Sequence, residues 1–292
     1  MTDNPLKSLY RNKTFYIKLP SNGKFYDSGI TLSIDGELGI MPMTAKDEII
    51  LKSPDSLFNG DSLVDIIKSC IPDIKNPKEI PACDIDPIIL GIYSATNKEV
   101  NLTTKCSHCS QDNDYSMDLK ILLTNTEEIS DDNVVEINEN TKVLVRPYSL
   151  ESEIKTNIKR FHYKRMEFMM KKIKDENVSF ESKREMVTKA FEDAANLTIE
   201  LISDNIIKVL TINDDDMPIE VTDKKYIKDW VINMDKETHD KVSTKIGELS
   251  KNNLNKTVTF KCSSCNEITK TELDINPVNF FINGQSTYQT KK

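Results

Sequence analysis

Val100-Asn-Leu-Thr-Thr-Lys-Cys106-Ser-His-Cys109 and Val258-Thr-Phe-Lys-Cys262-Ser-Ser-Cys265 are written on one template. Each starts with an alternating run, places Lys directly before Cys-x-x-Cys, and leads to a second alternating run. That second run is Tyr115-Ser-Met117-Asp118-Leu119 after the first pair and Thr271-Glu-Leu273-Asp274-Ile275 after the second. Asp118 and Asp274 stand at the same offset from the first Cys of their pair, between apolar neighbours. A Cys-x-x-Cys turn between two strands lets both sulfurs reach one ion, which makes it a zinc knuckle and half of a tetrahedral four-sulfur site. Cys106, Cys109, Cys262 and Cys265 therefore predict one structural zinc ion, clamping residues about 100–120 onto residues about 256–276. The stretch between the pairs is far longer than in an ordinary zinc ribbon, and the matched flanks argue for a shared site over two metal-free turns. Neither motif opens a helix, as redox pairs of the thioredoxin type do, which argues against redox chemistry.

Upstream, residues 1–43 read as a β region. Thr14-Phe-Tyr-Ile-Lys-Leu19 runs into the Pro20-Ser-Asn-Gly23 turn, residues 30–34 alternate at period two, Asp35-Gly36 turns again, and Leu38–Met43 is a third strand. Residues 44–147 read as a mixed α/β part carrying the first knuckle. Thr44 caps a short helix through Leu51, and a second helix follows Asn59-Gly-Asp61. Asp84-Ile-Asp-Pro87 opens a third, with the carboxylate as cap and Pro in the first turn. An acidic loop spans 124–140, and residues 142–146 form a strand. Residues 148–255 read as an inserted helical domain. Its second long helix runs from Phe180 to about Leu210, with Val187, Phe191, Ala194, Ala195, Leu201 and Ile202 as core stripe. Thr222-Asp-Lys224 opens a third helix carrying Trp230, and Asp235 caps a fourth with Val242, Ile246 and Leu249 inward. Residues 256–292 hold the second knuckle and a polar tail. The fold class is α+β: an N-terminal β region with short helices, and a split zinc-ribbon-like module around an inserted helical domain. Domains inserted this way need their ends close together.

The chain has 292 residues, a formal net charge of −8, 38% hydrophobic and 29% charged residues, and a sequence pI of about 5.2. The acidic balance argues against a nucleic-acid binder. The one contrary feature is the basic run Lys155, Lys159, Arg160, Lys164, Arg165, Lys171, Lys172 and Lys174, interleaved with Phe161, Tyr163 and Phe168; it reads as a solvated helix face or a contact for an acidic partner. No apolar run is long enough to span a membrane, and the N-terminus lacks a signal-peptide core. The expected setting is therefore a reducing cytosol, where paired Cys-x-x-Cys motifs are metal ligands more often than disulfides. His108, at the first knuckle's tip, reads as exposed, with replacement of a sulfur ligand as the alternative. Cys70 and Cys83 read as small buried hydrophobes, and Asp214-Asp-Asp216 as a solvated turn. The three histidines and eight glycines form no nucleophile motif and no phosphate-cradling loop. The chain is expected not to be an enzyme.

Several phrases, in order, carry a resemblance. Leu19-Pro-Ser-Asn-Gly-Lys-Phe-Tyr26, Met43-Thr-Ala-Lys-Asp-Glu48, Asn59-Gly60 through Ile71, Cys83-Asp-Ile-Asp-Pro87 through Ala95, and Lys142-Val-Leu-Val-Arg-Pro147 resemble successive blocks of the baseplate hub proteins of T-even-like contractile-tail phages. The chain departs from the pattern at 92–97, where relatives carry Arg-x-x-Ser-Tyr-Gly. The resemblance implies a virion structural or tail-assembly role. It also implies partners among other baseplate and tail proteins, including further copies of this chain in the assembled baseplate. Location would be the virion tail, with the host cytoplasm during assembly. The rival reading is a zinc-ribbon regulator binding nucleic acid through helix 155–174.

Overall fold

The computed structural model describes residues 4, 6, 9–51, 60–97, 99–124, 126–172, 180–212, 217–251, 254, 256–272 and 285–287. The expected turn at Asp214–Asp216, Lys174 of the basic run, and the stretch holding Leu273 and Asp274 lie outside the described residues. The side chains of Arg165, Lys171 and Lys172 also lie outside them. The chain divides into two compact units, one of Met1–Ile129 with Asn252–Lys292 and the other of Ser130–Lys251. Helices and strands are mixed in both, so the fold is α+β.

In the first unit, β1 (Phe15–Lys18) pairs antiparallel with β2 (Glu37–Ile40). The turn between them begins with Asn22 and Gly23 at positive φ, as the Asn-Gly pair requires. The expected strand at 30–34 does not form. Ile30 makes a lone bridge to Ile74, and Thr31 N–H donates to Asp73. Ser33 and Gly36 then close a tight turn that leaves Ile34 fully exposed. Helix α1 (Ala45–Leu51) carries the expected cap: Thr44 N–H donates to Asp47 Oδ2 at 2.7 Å, and Asp47 N–H returns a bond to Thr44 Oγ1 at 3.3 Å. Helix α2 (Asp61–Cys70) and α3 (Ala82–Thr96) follow.

Helix α3 begins earlier than its sequence predicts, capped at Pro81, so Pro87 lies inside it. Asp84 is not its cap. Residues 83, 84 and 87–93 of α3 are buried, and a carboxylate there must find donors. Asp84 Oδ1 accepts from Ser21 N–H at 2.9 Å, and Oδ2 accepts from Tyr26 O–H at 2.9 Å and from Ser21 O–H. Ser21 and Tyr26 belong to the same Leu19–Tyr26 phrase that carries the family resemblance.

Strands β3 (Val100–Lys105) and β4 (Asp112–Met117) form the first hairpin. The short helix α4 (Lys120–Leu123) follows the alternating run, with Asp118 Oδ1 accepting from Lys120 N–H. Ile89, Leu90, Tyr93, Val100, Leu119, Leu122 and Leu254 close one core.

The second unit is built on β5 (Val134–Asn138), β6 (Thr141–Val145), β7 (Ile206–Ile212) and β8 (Pro218–Val221), an antiparallel sheet in that order. Its helices are α5 (Leu150–Lys172), α6 (Phe180–Asn205), α7 (Lys224–Asn233) and α8 (Lys236–Leu249). This corrects the sequence expectation of an all-helical insertion. Helix α6 stops at Asn205, whose carbonyl accepts from Arg146 N–H at 2.9 Å, and the β-branched run 206–212 then pairs with β6. Strand β5 lies within the stretch expected to be an acidic loop. Val135, Val143, Val145, Ile202, Ile206, Val209, Ile227, Val231, Val242, Ile246 and Leu249 pack one continuous core. Asp235 caps α8 as expected, accepting from Thr238 N–H at 2.9 Å. Val187 and Phe191, expected in the core stripe, are exposed.

Beyond the insertion, the chain resumes in the first unit with β9 (Thr257–Lys261) and β10 (Ile268–Glu272), the second hairpin, and β11 (Gln285–Thr287) runs parallel to β3.

Candidate metal centre

Each hairpin bends at its Cys-x-x-Cys in the same way. In the first, Ser110 N–H donates to Cys106 O at 2.9 Å and Cys106 N–H to Gln111 O at 2.9 Å; in the second, Asn266 N–H donates to Cys262 O at 3.0 Å and Cys262 N–H to Glu267 O at 2.9 Å. Ser110 and Asn266, at matching positions, both take positive φ, 59° and 61°. The sequence repeat is therefore a repeat of backbone conformation, extending to residues that are not themselves alike.

The two turns face each other. The four Sγ atoms lie within 4.8 Å of one another, with Cys106 to Cys265 and Cys109 to Cys262 both 3.6 Å apart. Tetrahedral zinc–thiolate bonds of about 2.3 Å require sulfurs about 3.8 Å apart, so the cluster fits one such ion. Cys106 and Cys262 are buried. His108 N–H approaches Cys106 Sγ at 3.4 Å, and Ser264 N–H approaches Cys262 Sγ at 3.4 Å.

These amides set the ionisation of the thiols. The Cys109 and His108 amides draw the Cys106 thiol down to about 6, and the Cys265 amide lowers that of Cys262. The Glu267 amide favours a Cys265 thiolate, but desolvation and the three neighbouring sulfurs outweigh it and push the thiol up to about 12. Four sulfurs this close cannot all carry charge without a cation among them; a dication removes that penalty and takes all four as thiolates.

Three contacts fasten the knuckles to one another apart from sulfur. The Tyr115 ring packs on Phe260 at 4.7 Å, Tyr115 O–H donates to Lys261 O at 2.6 Å, and Asn113 Oδ1 accepts from Ser263. Sequence reading did not single out Asn113 or Phe260. Their signal is faint: a polar residue and an aromatic, each on an inward position of an otherwise alternating hairpin.

The other sequence candidates lie elsewhere. His108 is exposed. Cys70 and Cys83 are buried apart from the cluster, and burial pushes the Cys70 thiol up to about 11. On the basic helix, Lys155 donates to Glu200 at 2.8 Å and lies 3.6 Å from Asp204, while Lys159 donates to the Asp193 carbonyl. Part of that positive face is thus turned inward on α6, away from any phosphate backbone. No helix among the described residues is long and apolar enough to cross a membrane.

Neither a curated protein nor a solved structure gives a significant match to the chain. A family model described as T4 bacteriophage base plate protein matches residues 11–282. That span takes in the Leu19–Tyr26 phrase, both knuckles and the whole second unit, so the chain belongs to this family and is a structural or assembly component of a phage tail baseplate, acting through contacts with other tail proteins.

Proposed function

We propose that the chain serves the hub region of the baseplate, as a resident subunit or as a factor that assembles it. In this reading it is not an enzyme, and its one cofactor is a structural zinc held by Cys106, Cys109, Cys262 and Cys265. The observation that carries the zinc is the convergence of four Sγ atoms within 4.8 Å, from turns on opposite sides of a long insertion in the sequence. A site of four thiolates is closed, leaving no position for a substrate. What the ion supplies is mechanical: it fastens the segment that leads into the insertion to the segment that leaves it, which a small two-hairpin module cannot do by apolar burial alone. The assignment to the hub is supported by the ordered phrases between Leu19 and Pro147.

Three measurements test this reading. Mass spectrometry of purified tails, quantified against a sheath protein, is expected to find the chain at a low, constant integer ratio, and that integer gives the symmetry of its seat. Presence in infected lysate with absence from tails selects the assembly factor. Elemental analysis of the purified protein is expected to return one zinc per chain; a value near zero removes the metal from the account. Retention on duplex DNA that falls steeply with salt would instead favour the regulator.

A further inference from the structure

The two knuckles repeat each other in backbone, but not in what stands behind the sulfurs. At matching positions on their return strands lie Asn113 and Thr269, both buried, at 5% and 3% exposure. Thr269 reaches a sulfur, its hydroxyl 3.7 Å from Cys106 Sγ. Asn113 reaches the backbone of the opposite turn: its Oδ1 accepts from Ser263 N–H at 2.9 Å and from Ser263 O–H at 2.7 Å. Its Nδ2 donates to Gln111 O at 2.9 Å, back into its own turn. A backbone N–H can only donate, so the amide has a single orientation that satisfies every partner. Ser263 is the residue directly after Cys262, and fixing its N–H fixes the start of the second turn. One side chain thus ties the two turns together through backbone groups and without sulfur.

We propose that Asn113 is the positioning residue of the metal centre: it holds the second knuckle in register with the first, so that the metal meets four sulfurs already assembled. The inference rests on the reading of the four cysteines as a metal site and adds how that site is set. Outer-shell hydrogen bonds of this kind act through ligand placement, and their loss typically lowers metal affinity about ten- to a hundredfold. Because the Asn113 bonds involve no sulfur, they persist in the metal-free protein.

The test is a competition of Co2+ against a chelator of known affinity, performed on the full chain and read by the thiolate-to-cobalt absorption. Wild type is expected to bind one Co2+ with the spectrum of four sulfurs. Asn113→Ala is expected to keep that spectrum and to bind about ten- to a hundredfold more weakly. Ser263→Ala is expected to lose less, since its N–H remains, and to add nothing further in the Asn113→Ala background. If Asn113→Ala lowers the thermal stability of the metal-free protein while its affinity stays within about twofold of wild type, the residue is merely structural and the proposal fails. Should that variant not fold, Asn113→Ser, whose shorter side chain cannot reach the Ser263 N–H, decides in its place, and an unchanged affinity overturns the proposal. A wild-type chain that binds no Co2+ overturns the metal reading itself, an outcome distinct from both.

Discussion

The second unit closes one continuous core with aliphatic side chains from six elements, Val135 to Leu249, and side-chain bonds such as those of Lys224 and Ser250 stand at the ends of its helices. The first unit relies on polar groups instead: a buried carboxylate, Asp84, joins α3 to the Leu19–Tyr26 segment, and four clustered sulfurs, two of them buried, bring together the hairpins on either side of a long insertion. The difference follows from how the chain returns. Elements near in sequence meet at small entropic cost, and apolar burial suffices to hold them. Two short hairpins that must find each other across an inserted unit have little apolar surface to offer, and directional bonds make up the deficit. The first unit should therefore respond to chemistry and the second to packing.

Metal removal separates them most sharply. Chelation, or Cys262→Ser, is expected to lower the melting of the first unit by many degrees, since structural zinc contributes on the order of 10 kcal/mol to small modules. Melting of the second unit, followed through its long helices, is expected to stay where it was. Differential scanning calorimetry with and without chelator reads both; equal shifts of the two transitions would show that the two units are not held in different ways. The same Cys262→Ser change is expected to abolish incorporation into tails, which complementation of an infected host measures.

A packing change places the contrast on one residue type. Gly91 lies in α3 where a Cβ would run into Ile40 Cδ1 and press on Ile17. Gly91→Ala is expected to cost the first unit about 1–3 kcal/mol, as overpacking does, outweighing the helix-forming gain of Ala. Urea unfolding followed at Tyr93 and its neighbours measures it.

Asp84 should add a pH signature to the first unit alone. Burial raises the pKa of its carboxyl against the three bonds from Ser21 and Tyr26. A group whose folded pKa is raised contributes its stability in full below the unfolded value and loses it as pH climbs through the folded one. In the second unit, the Thr238 amide and hydroxyl hold Asp235 below its usual range, and that contribution fades instead as pH falls. Acid also protonates the sulfurs and the lowered carboxyl of Asp47 in the first unit, so the Asp84 contribution is read as a difference: the melting temperature of wild type relative to Asp84→Asn is expected to fall as pH rises.

The sequence showed some of this directly and hid the rest for identifiable reasons. The knuckles were legible because tetrahedral sulfur chemistry imposes a spacing that chance seldom repeats with its flanks. Helix α8 was legible from Asp235 and the inward spacing of Val242, Ile246 and Leu249. Strand β7 was not, because Ile206 continues the helical spacing of Ile202 and no Gly or Pro marks the break; pairing with β6 decides it. Asp84 looked like a cap because Pro87 suggested a first turn. Its true role shows only when Ser21 and Tyr26 are brought beside it. Asn113 belongs to the same class, a polar residue whose partner, Ser263, lies on the other side of the insertion.

The smallest expected effect is also the most discriminating about the second unit. Gly247 sits in α8, and a Cβ built there meets nothing within 4 Å. Its neighbours Ile246 and Leu249 are buried, so the helix is held by its apolar face whether or not residue 247 favours helix. Replacing Gly with Ala in a helix interior removes unfolded-state freedom and is worth about 0.5–1 kcal/mol. Gly247→Ala is therefore expected to raise the melting of the second unit slightly, opposite in sign to Gly91→Ala in the first. A loss of stability instead would mean that this face of α8 is packed against a neighbour in solution, and a self-association measurement on the purified chain would then show it.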